Sequence, residues 1–473
     1  MWVGLENEIV AFNADGTVAA KIKTIVAGGL AVDKGGVLWV ADNGARQQLI
    51  GYDVSGAQPR EVKTLGEKGG VFSGPRSGQL TDKRILPPRG LAIDAAGNFT
   101  VLGTNVMRSY APDGRVLWTL ECTSFTTTSD FDPSSDGTVI YTGLERYDYV
   151  PGAPPGKDWK LAGVTADTRR FPEFADGGNQ VILRKINGQL LRYSIGETIV
   201  VHRQEPNSDI FIPAALLVRP DQGGFSAPVA RPKAAPSEGR FIWSDKNANG
   251  LVEAGEFSLP KADDKRASQS YSCWIDSEGG LWEPMDRDGF RYLPLKQMTP
   301  QGVPVYDLAA QQWFEKPKEF MQVMRVLYVP RTDTLLVTGT TWEHPAAGTE
   351  WWGTGGREII CYTDWKKPTR KLAWRTPFSG EDTSIKAVTL APAANLFFAG
   401  QMDTETVFAY DLQGGKLRGI LEPDKKLVGC IDIDQGVRAF TRSNGEVLVL
   451  VAEVWGQKQM VYRIAPIRTS KGN

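Results

Sequence analysis

One twelve-residue stretch, DKNANGLVEAGE, carries oxygen-bearing side chains at the spacing that a divalent cation requires. Asp245, Asn247 and Asn249 occupy alternate positions, and alternate residues of a tight loop point toward its centre. Glu256 adds a carboxylate that can bind with both oxygens, Leu251 adds its backbone carbonyl, and an intervening glycine permits the sharp turn. Because Ca²⁺ prefers about six to eight oxygen ligands, this spacing predicts a structural Ca²⁺ site.

The segments that flank this loop are FIWS and FSLP, which have the composition of strands rather than helices. The sequence therefore predicts an EF-hand-like loop set between two strands. Two asparagines in place of aspartates lower the charge of the site, which favours a moderate affinity suited to a calcium-rich environment outside the cell. The alternative is a polar turn that binds no metal.

A second candidate site is the insertion 341–357, TWEHPAAGTEWWGTGGR. Trp342, Trp351 and Trp352 lie in a loop rich in Gly, Ala and Pro, and exposed aromatic faces stack on the apolar faces of sugar rings. The segment thus predicts a carbohydrate-binding platform. The alternative is that these tryptophans cover the ring or contact another domain.

A third candidate is the segment ERYDY, in which Arg146 and Tyr147 are predicted to bind a ligand at a channel rim. An acid beside an arginine there could hold an acidic sugar. The alternative is a surface turn closed by ion pairs. An enzyme, a glycoside hydrolase or polysaccharide lyase, would need carboxylates to converge at the channel mouth with Arg or Tyr. The candidates are Glu145, Asp148, Glu343 and Glu350.

The elements that must position these residues are short strands, and residues 28–66 show the pattern. Four strand-like runs are separated by Asp-Lys-Gly-Gly, Asp-Asn-Gly and Ser-Gly turns, whose residues accept positive φ or cap their own turn. Related runs begin at Arg89, Ser270 and Lys386. Asp33, Asp94 and Asp276 stand at matching places of the repeat, which predicts that they cap turns.

A repeated four-strand meander with little helix predicts an all-β chain folded as a single β-propeller of four-stranded antiparallel blades. Eight blades is the prediction, with seven as the alternative. All of residues 1–473 would then form one domain, with the calcium loop 245–256 and the Trp-rich loop 341–357 as inserts.

The pairs GGLAVD…LWVADN and PRGLAID…GN resemble the NHL-type and SMP-30/gluconolactonase-like propeller repeats. The resemblance implies a ring of about six to eight blades, a fold that serves both binding proteins and enzymes. Gluconolactonase-like enzymes hold a divalent metal in the central channel through Glu, Asn and Asp, a set that is not assigned to residues of this chain. The chain has two histidines, His202 and His344, in separate repeats.

Charge and composition argue against one class of function, nucleic-acid binding. With 54 basic and 55 acidic residues the net charge is -1, which argues against a protein that binds nucleic acid through phosphate neutralisation. No apolar run is long enough to span a bilayer. Cys122, Cys273, Cys361 and Cys430 lack metal spacing and are predicted to be buried thiols, with disulfides as the alternative.

The first 25 residues match the second to fourth strands of the repeat and lack the first. This favours a piece of a longer, exported bacterial chain, extracellular or periplasmic, over a cytoplasmic protein. Three functions remain open: a calcium-stabilised propeller that binds carbohydrate or another ligand on one face, an enzyme at the channel mouth, and a scaffold that binds a partner protein.

Overall fold

The structure is a computed structural model of the chain. It describes residues 1–23, 25–103, 106–121, 128–174, 180–196, 198–218, 231–260, 272–345, 355–378, 385–391, 394–401, 406–424, 433, 435–453 and 458–465.

Strands dominate the described residues, and the helical residues lie in 3₁₀ turns at Gly70–Phe72, Pro172–Phe174, Leu308–Ala310 and Pro330–Thr332. The strands, numbered in chain order, are β1 Trp2–Gly4, β2 Glu8–Phe12, β3 Val18–Lys23, β4 Ala27–Val32, β5 Val37–Asp42, β6 Leu49–Asp53, β7 Arg60–Leu65, β8 Gly90–Ile93, β9 Phe99–Leu102, β10 Val106–Tyr110, β11 Val116–Glu121, β12 Asp130–Phe131, β13 Val139–Tyr141, β14 Glu145–Tyr149, β15 Trp159–Val164, β16 Gln180–Ile186, β17 Gln189–Ile195, β18 Thr198–Gln204, β19 Phe211–Val218, β20 Phe241–Ser244, β21 Phe257–Ser258, β22 Trp274–Ile275, β23 Leu281–Pro284, β24 Gly289–Leu293, β25 Leu295–Met298, β26 Pro304–Tyr306, β27 Gln312–Glu315, β28 Phe320–Val329, β29 Thr334–Thr341, β30 Glu358–Thr363, β31 Lys371–Pro377, β32 Ile385–Ala391, β33 Leu396–Gln401, β34 Val407–Asp411, β35 Leu417–Leu421, β36 Val437–Thr441, β37 Val447–Glu453 and β38 Lys458–Ile464.

The meander β4–β7 shows how sequence sets burial within one sheet. Its two middle strands are apolar and pair antiparallel, so that Val40 lies opposite Ile50 and both are fully buried. The fourth strand, β7, has the sequence REVKTL and is almost entirely exposed. The same exposed fourth strand recurs in β11 and β35, so these three sheets bury their central strands and present their last strand to solvent.

The described chain divides into two compact units. Unit 1 comprises residues 1–124, 145–165 and 205–210, and unit 2 comprises 125–144, 166–204 and 211–473. In unit 1 the sheets β1–β3, β4–β7 and β8–β11 are consecutive antiparallel meanders, and the first strands β1, β4 and β8 contact each other in that order. The hairpin β14–β15 also belongs to this unit.

In unit 2 the first strands of successive sheets form a closed cycle. β12 contacts β16, β22 contacts β28, β28 contacts β32, and β32 contacts β36. Arg184 of β16 bonds to the backbone of Ile275 in β22, and β36 contacts β12 to complete the cycle. Four-stranded meanders whose first strands surround an axis are the blades of a β-propeller. The predicted fold class, an all-β propeller of four-stranded antiparallel blades, is confirmed, whereas the blade number and the single domain stay predictions.

Two parts of unit 2 differ from the sequence prediction. The predicted blades have four strands, but β16–β21 form one six-stranded sheet because β18 pairs with β19 along its full length. In the blade that begins near Ser270, β25 and β26 form a hairpin of their own, and the fourth strand is β27 beyond it.

The turn-capping prediction for the three aspartates is confirmed by their hydrogen bonds. Asp33 accepts from the backbone N–H groups of Gly35 and Val37 and from Trp39 Nε1. In unit 2, Asp276 accepts in the same way from Glu278 N, Gly280 N and Trp282 Nε1. Asp94 accepts from Ala96 N, Asn98 N and Asn98 Nδ2.

Two of the four cysteines lie in the described part of the chain. Cys273 and Cys361 are buried free thiols, as predicted, and burial raises the pKa of Cys361 to about 12. Cys122 and Cys430 lie outside the described residues. No helix in the described ranges is long and apolar enough to span a bilayer.

Candidate functional site

A cavity of about 330 Å³ lies among the first strands of unit 2. Five of these strands contribute residues to its wall, namely β12, β16, β22, β28 and β36. The charged residues that line it are Asp130, Arg184, Lys185 and Arg438, and its apolar wall includes Trp274 and Pro330. Ligand pockets in proteins measure about 300–1,000 Å³ and combine an apolar lining with a few polar groups, as this cavity does.

Asp130 places a carboxylate on the cavity wall from the start of β12. One of its oxygens accepts from the backbone N–H of Phe131 at 2.9 Å, and the other accepts from that of Leu183 at 2.9 Å. Burial raises the pKa of Asp130, while the neighbouring guanidinium groups of Arg438 and Arg184 act in the opposite direction.

Arg438 of β36 holds its guanidinium group beside this carboxylate with the side chain only 5% exposed. Its Nε and Nη2 both donate to the carbonyl of Val181, at 3.1 and 2.9 Å, and its Nη1 donates to Gln435 and Val437. Its Nε is 4.0 Å from Asp130 Oδ2, beyond hydrogen-bond distance. Burial lowers the pKa of Arg438 to about 10.

Arg184 of β16 approaches the same carboxylate from the neighbouring strand. Its Nη1 is 3.9 Å from Asp130 Oδ2, and its guanidinium lies 5.0 Å from the ring centre of Trp274, which lines the cavity. The guanidinium donates to the carbonyls of Leu183 and Ile275. Burial lowers the pKa of Arg184.

These contacts leave the cavity with more positive than negative charge. Both arginines bond to backbone carbonyls rather than directly to Asp130, so one carboxylate at about 4 Å faces two buried guanidinium groups. Buried charges are costly unless they are paired. The arrangement can therefore accept an anionic group that pairs the excess guanidinium charge.

A smaller void of about 20 Å³ lies beside the cavity, and Trp274 and Arg438 line both spaces. Its wall includes Gln180, whose Oε1 is buried and makes no hydrogen bond within the described part of the chain. A space of this size holds about one water molecule. Such a water would supply the missing donor to Gln180.

The predicted calcium loop, 245–256, does lie between two strands, because β20 pairs antiparallel with β21. Asp245 is fully buried and accepts from the backbone N–H groups of Asn249 at 3.0 Å and Gly250 at 2.8 Å. Gly250 has a φ of 77°, and a Cβ there would meet the ring of Phe171 at 2.5 Å, so this position requires glycine.

The loop holds two carboxylates, Asp245 and Glu256. Glu256 accepts from Trp243 Nε1 at 2.7 Å and from Lys246 N at 2.8 Å, which fixes its carboxylate near that of Asp245. Burial, with the nearby Glu256 charge adding to it, raises the pKa of Asp245. In the described ranges no three His, Cys, Asp or Glu side chains form a metal-sized group. The predicted ligand set of the loop holds only two such side chains, Asp245 and Glu256, because its other ligands are two asparagine amides and a backbone carbonyl.

The Trp-rich insertion is described in part. Trp342 is 67% exposed and donates from Nε1 to the carbonyl of Lys318, whereas Trp351, Trp352 and Glu350 lie outside the described residues. Glu343 is paired with Arg375 at 2.6 Å, and the same guanidinium group binds Glu358.

In unit 1 the segment ERYDY is the strand β14 rather than a surface turn. Arg146 pairs with Asp148 at 2.9 Å and with the buried Asp209 at 2.8 Å, and Tyr147 packs against a small apolar cluster. Glu145 is buried. The predicted ligand-binding role of Arg146 and Tyr147 stays a prediction.

Sequence analysis missed Asp130, Arg184, Arg438 and Trp274 because they lie far apart in the chain and only the ring of first strands brings them together. One signal was present. Arg438 interrupts the apolar run VRAF, and Arg184 directly follows the buried apolar run Val-Ile-Leu of its first strand. A charged residue within a buried strand requires a partner or a ligand.

No family model matches the chain, and no curated protein matches it. Among solved structures, it is similar to the extracellular domain of a protein described as a one component system of B. thetaiotaomicron (TM-score 0.36, 11% identity), covering 97% of this chain and 56% of that one. It is also similar to the Cps50 (Swd1) β-propeller domain of Myceliophteria thermophila, with a TM-score of 0.33 and 10% identity, covering 80% of this chain and 97% of that one. The structure of apo AztD from Citrobacter koseri matches with a TM-score of 0.36 and 11% identity, covering 77% of this chain and 92% of that one. At these scores the likenesses support no conclusion about function.

Proposed function

We propose that this protein is a non-catalytic, extracytoplasmic β-propeller that binds a small ligand in the cavity among the first strands of unit 2. The observation that carries the proposal is the cavity itself, which has a volume of about 330 Å³ and is lined by Trp274, two prolines and four charged side chains. Ring channels of this kind place groups from several blades around one ligand.

The binding function is favoured over catalysis by the state of the acidic groups. In unit 2, Glu343 and Glu358 share the guanidinium group of Arg375, and Asp130 is the carboxylate that lines the cavity. Glycoside hydrolysis requires two carboxylates about 5–9.5 Å apart. A single carboxylate beside two arginines lacks the second carboxylate that glycoside hydrolysis requires, and it is compatible with ligand binding.

The test is a thermal-shift screen of neutral and acidic mono- and oligosaccharides and other small polar compounds. A ligand that binds only the folded state raises the melting temperature in a concentration-dependent way. Ala439→Phe, which places a ring in the cavity wall, should abolish the shift. Ala95→Phe, the same change at an exposed turn of unit 1, should leave it intact. Equal shifts in both variants, or a screen without hits, would contradict the proposal.

We further propose that residues 245–256 bind Ca²⁺ through Asp245, Asn247, Asn249, Leu251 and Glu256. The support is the approach of two carboxylates in one loop, together with the glycine turn. Bound Ca²⁺ would neutralise the repulsion between the carboxylates of Asp245 and Glu256 and would fix the connection between β20 and β21. Moderate affinity, expected from two asparagines, agrees with a location outside the cytoplasm.

Calcium should therefore raise the melting temperature of the chelated protein, and Mg²⁺ should raise it less because Mg²⁺ prefers a smaller octahedral site. Glu256→Gln should abolish most of the calcium effect. Glu253→Gln, at the position where water can mediate, should reduce it less. Calorimetry measures the affinity directly, and an unchanged melting temperature at millimolar Ca²⁺ would contradict the site.

A further inference from the structure

The charges of the cavity define the chemistry of its ligand more closely. We propose that the cavity binds a small organic carboxylate, with the carboxylate group held by Arg184 and Arg438 and the body of the ligand lying against Trp274. This inference rests on the proposed ligand-binding function and deepens it.

The first support is the number of guanidinium donors. Each guanidinium carries five N–H groups. The bonds of Arg438 use Nε, both N–H groups of Nη1 and one of Nη2. Those of Arg184 use Nε and one N–H on each terminal nitrogen. Within the described part of the chain, three N–H groups of this pair thus have no hydrogen-bond acceptor.

The second support is that the two arginines are held in place before any ligand arrives. Arg438 is bonded to the carbonyls of Val181, Gln435 and Val437, and Arg184 to those of Leu183 and Ile275. Fixed guanidinium groups lose little side-chain entropy on binding. Planar guanidinium groups also match the geometry of a carboxylate better than an ammonium group does.

The third support is the shape of the remaining wall. Trp274 and the prolines Pro133 and Pro330 add apolar surface to the wall that also carries the charged groups. The indole Nε1 of Trp274 already donates to the carbonyl of Tyr328 at 3.3 Å, so the ring contributes an apolar face. A ligand with one carboxylate and an apolar C–H face satisfies both parts, and a monosaccharide uronate has this chemistry and a size that the cavity accepts.

The test is isothermal titration calorimetry of the intact protein with D-glucuronate, and with D-glucose as the matched neutral sugar. Glucuronate should bind about tenfold or more tightly than glucose, because hydrogen bonds to charged groups contribute that much. Arg184→Gln and Arg438→Gln should each weaken glucuronate by about tenfold or more. Arg418→Gln, which removes an exposed arginine paired with Asp411, should have no effect.

Arg184 and Arg438 also connect strands, so their variants could fail to fold. In that case, glucuronate and glucose binding to the Asp130→Asn variant tests the carboxylate assignment. Removing the one negative charge should strengthen glucuronate binding and leave glucose binding unchanged. If Asp130→Asn leaves glucuronate binding unchanged or weaker, the carboxylate assignment is overturned.

The two proposals fail differently. Glucose binding as tightly as glucuronate, with both lost in Ala439→Phe, would overturn the carboxylate assignment and leave the ligand cavity standing. The same holds if the screen yields only neutral or cationic cavity ligands. A screen in which no compound depends on the cavity would overturn the proposed function itself.

Discussion

Asp130 is the residue whose protonation sets the charge of the cavity. Burial raises the pKa of its carboxyl, and the charged groups that face it are Arg184 from β16 and Arg438 from β36. As pH falls through that raised pKa, Asp130 becomes neutral and no longer repels an anionic ligand. Wild-type affinity for glucuronate should therefore rise as pH is lowered, until the ligand itself becomes protonated.

Asp130→Asn should remove this pH dependence and bind glucuronate at pH 7 as tightly as the wild type does in acid. The gain is about tenfold or more, because a like charge within about 10 Å repels an anionic ligand by more than about 1 kcal/mol at an effective dielectric constant near 20. Calorimetry at pH 7 and at a series of lower pH values measures it. Asp136→Asn, at a surface aspartate bonded to Ser443, is the control, and a parallel pH profile in both variants would contradict the role of Asp130.

The raised pKa of Asp130 also makes the free energy of unfolding depend on pH. A carboxyl whose pKa is raised in the folded state contributes its full stability below the ordinary value of 3.8, and that contribution is lost as pH rises through the raised pKa. Replacement by asparagine should therefore stabilise the protein at neutral pH relative to acid. Urea denaturation at two pH values provides the comparison, and equal effects at both would contradict it.

At the residue scale, the sequence predicted well what is local and poorly what is distant. The spacing of Asp245 to Glu256 predicted a loop between strands, because every residue involved lies within one turn. The cavity residues Asp130, Arg184 and Arg438 come from three strands, and no local spacing links them. Their only local signal is a charge in an apolar strand.

At the scale of the element, the aspartate at the first turn of a blade acts as a shared cap. Asp276 is fully buried and satisfies Glu278 N, Gly280 N and the indole of the fully buried Trp282. Asp276→Ala should leave those buried donors without an acceptor and reduce the free energy of unfolding by about 2 kcal/mol or more. Asp94→Ala removes the matching cap at an exposed turn, where water replaces the carboxylate, and should cost less. Urea denaturation of both variants tests this, and equal losses would contradict it.

The strands themselves were predictable where turn chemistry punctuates the chain. In residues 28–66 the four predicted strands coincide with β4–β7 to within a few residues, since Gly and Asp turns separate apolar runs. The prediction failed where hairpins are inserted. The pair β25–β26 delays the fourth strand of its blade to β27, and β19 extends the sheet of β16–β18 instead of starting a new one.

At the scale of the whole molecule, the closure of first strands in unit 2 turns separate meanders into a binding site. No single sheet contains more than one of the groups Asp130, Arg184, Trp274 and Arg438, so the cavity exists only because β12, β16, β22, β28 and β36 surround it. The repeat predicted this class of architecture. It could not predict the cavity, because the first strands differ from blade to blade in the residues they present.

The most direct measurement is a crystal structure of the protein soaked with the tightest cavity-dependent ligand of the thermal-shift screen, with D-glucuronate as the first compound tried. We expect electron density in the cavity, with the carboxylate between Arg184 and Arg438 and the ring of the ligand against Trp274. Density on another surface, with the cavity holding only water, would contradict the account.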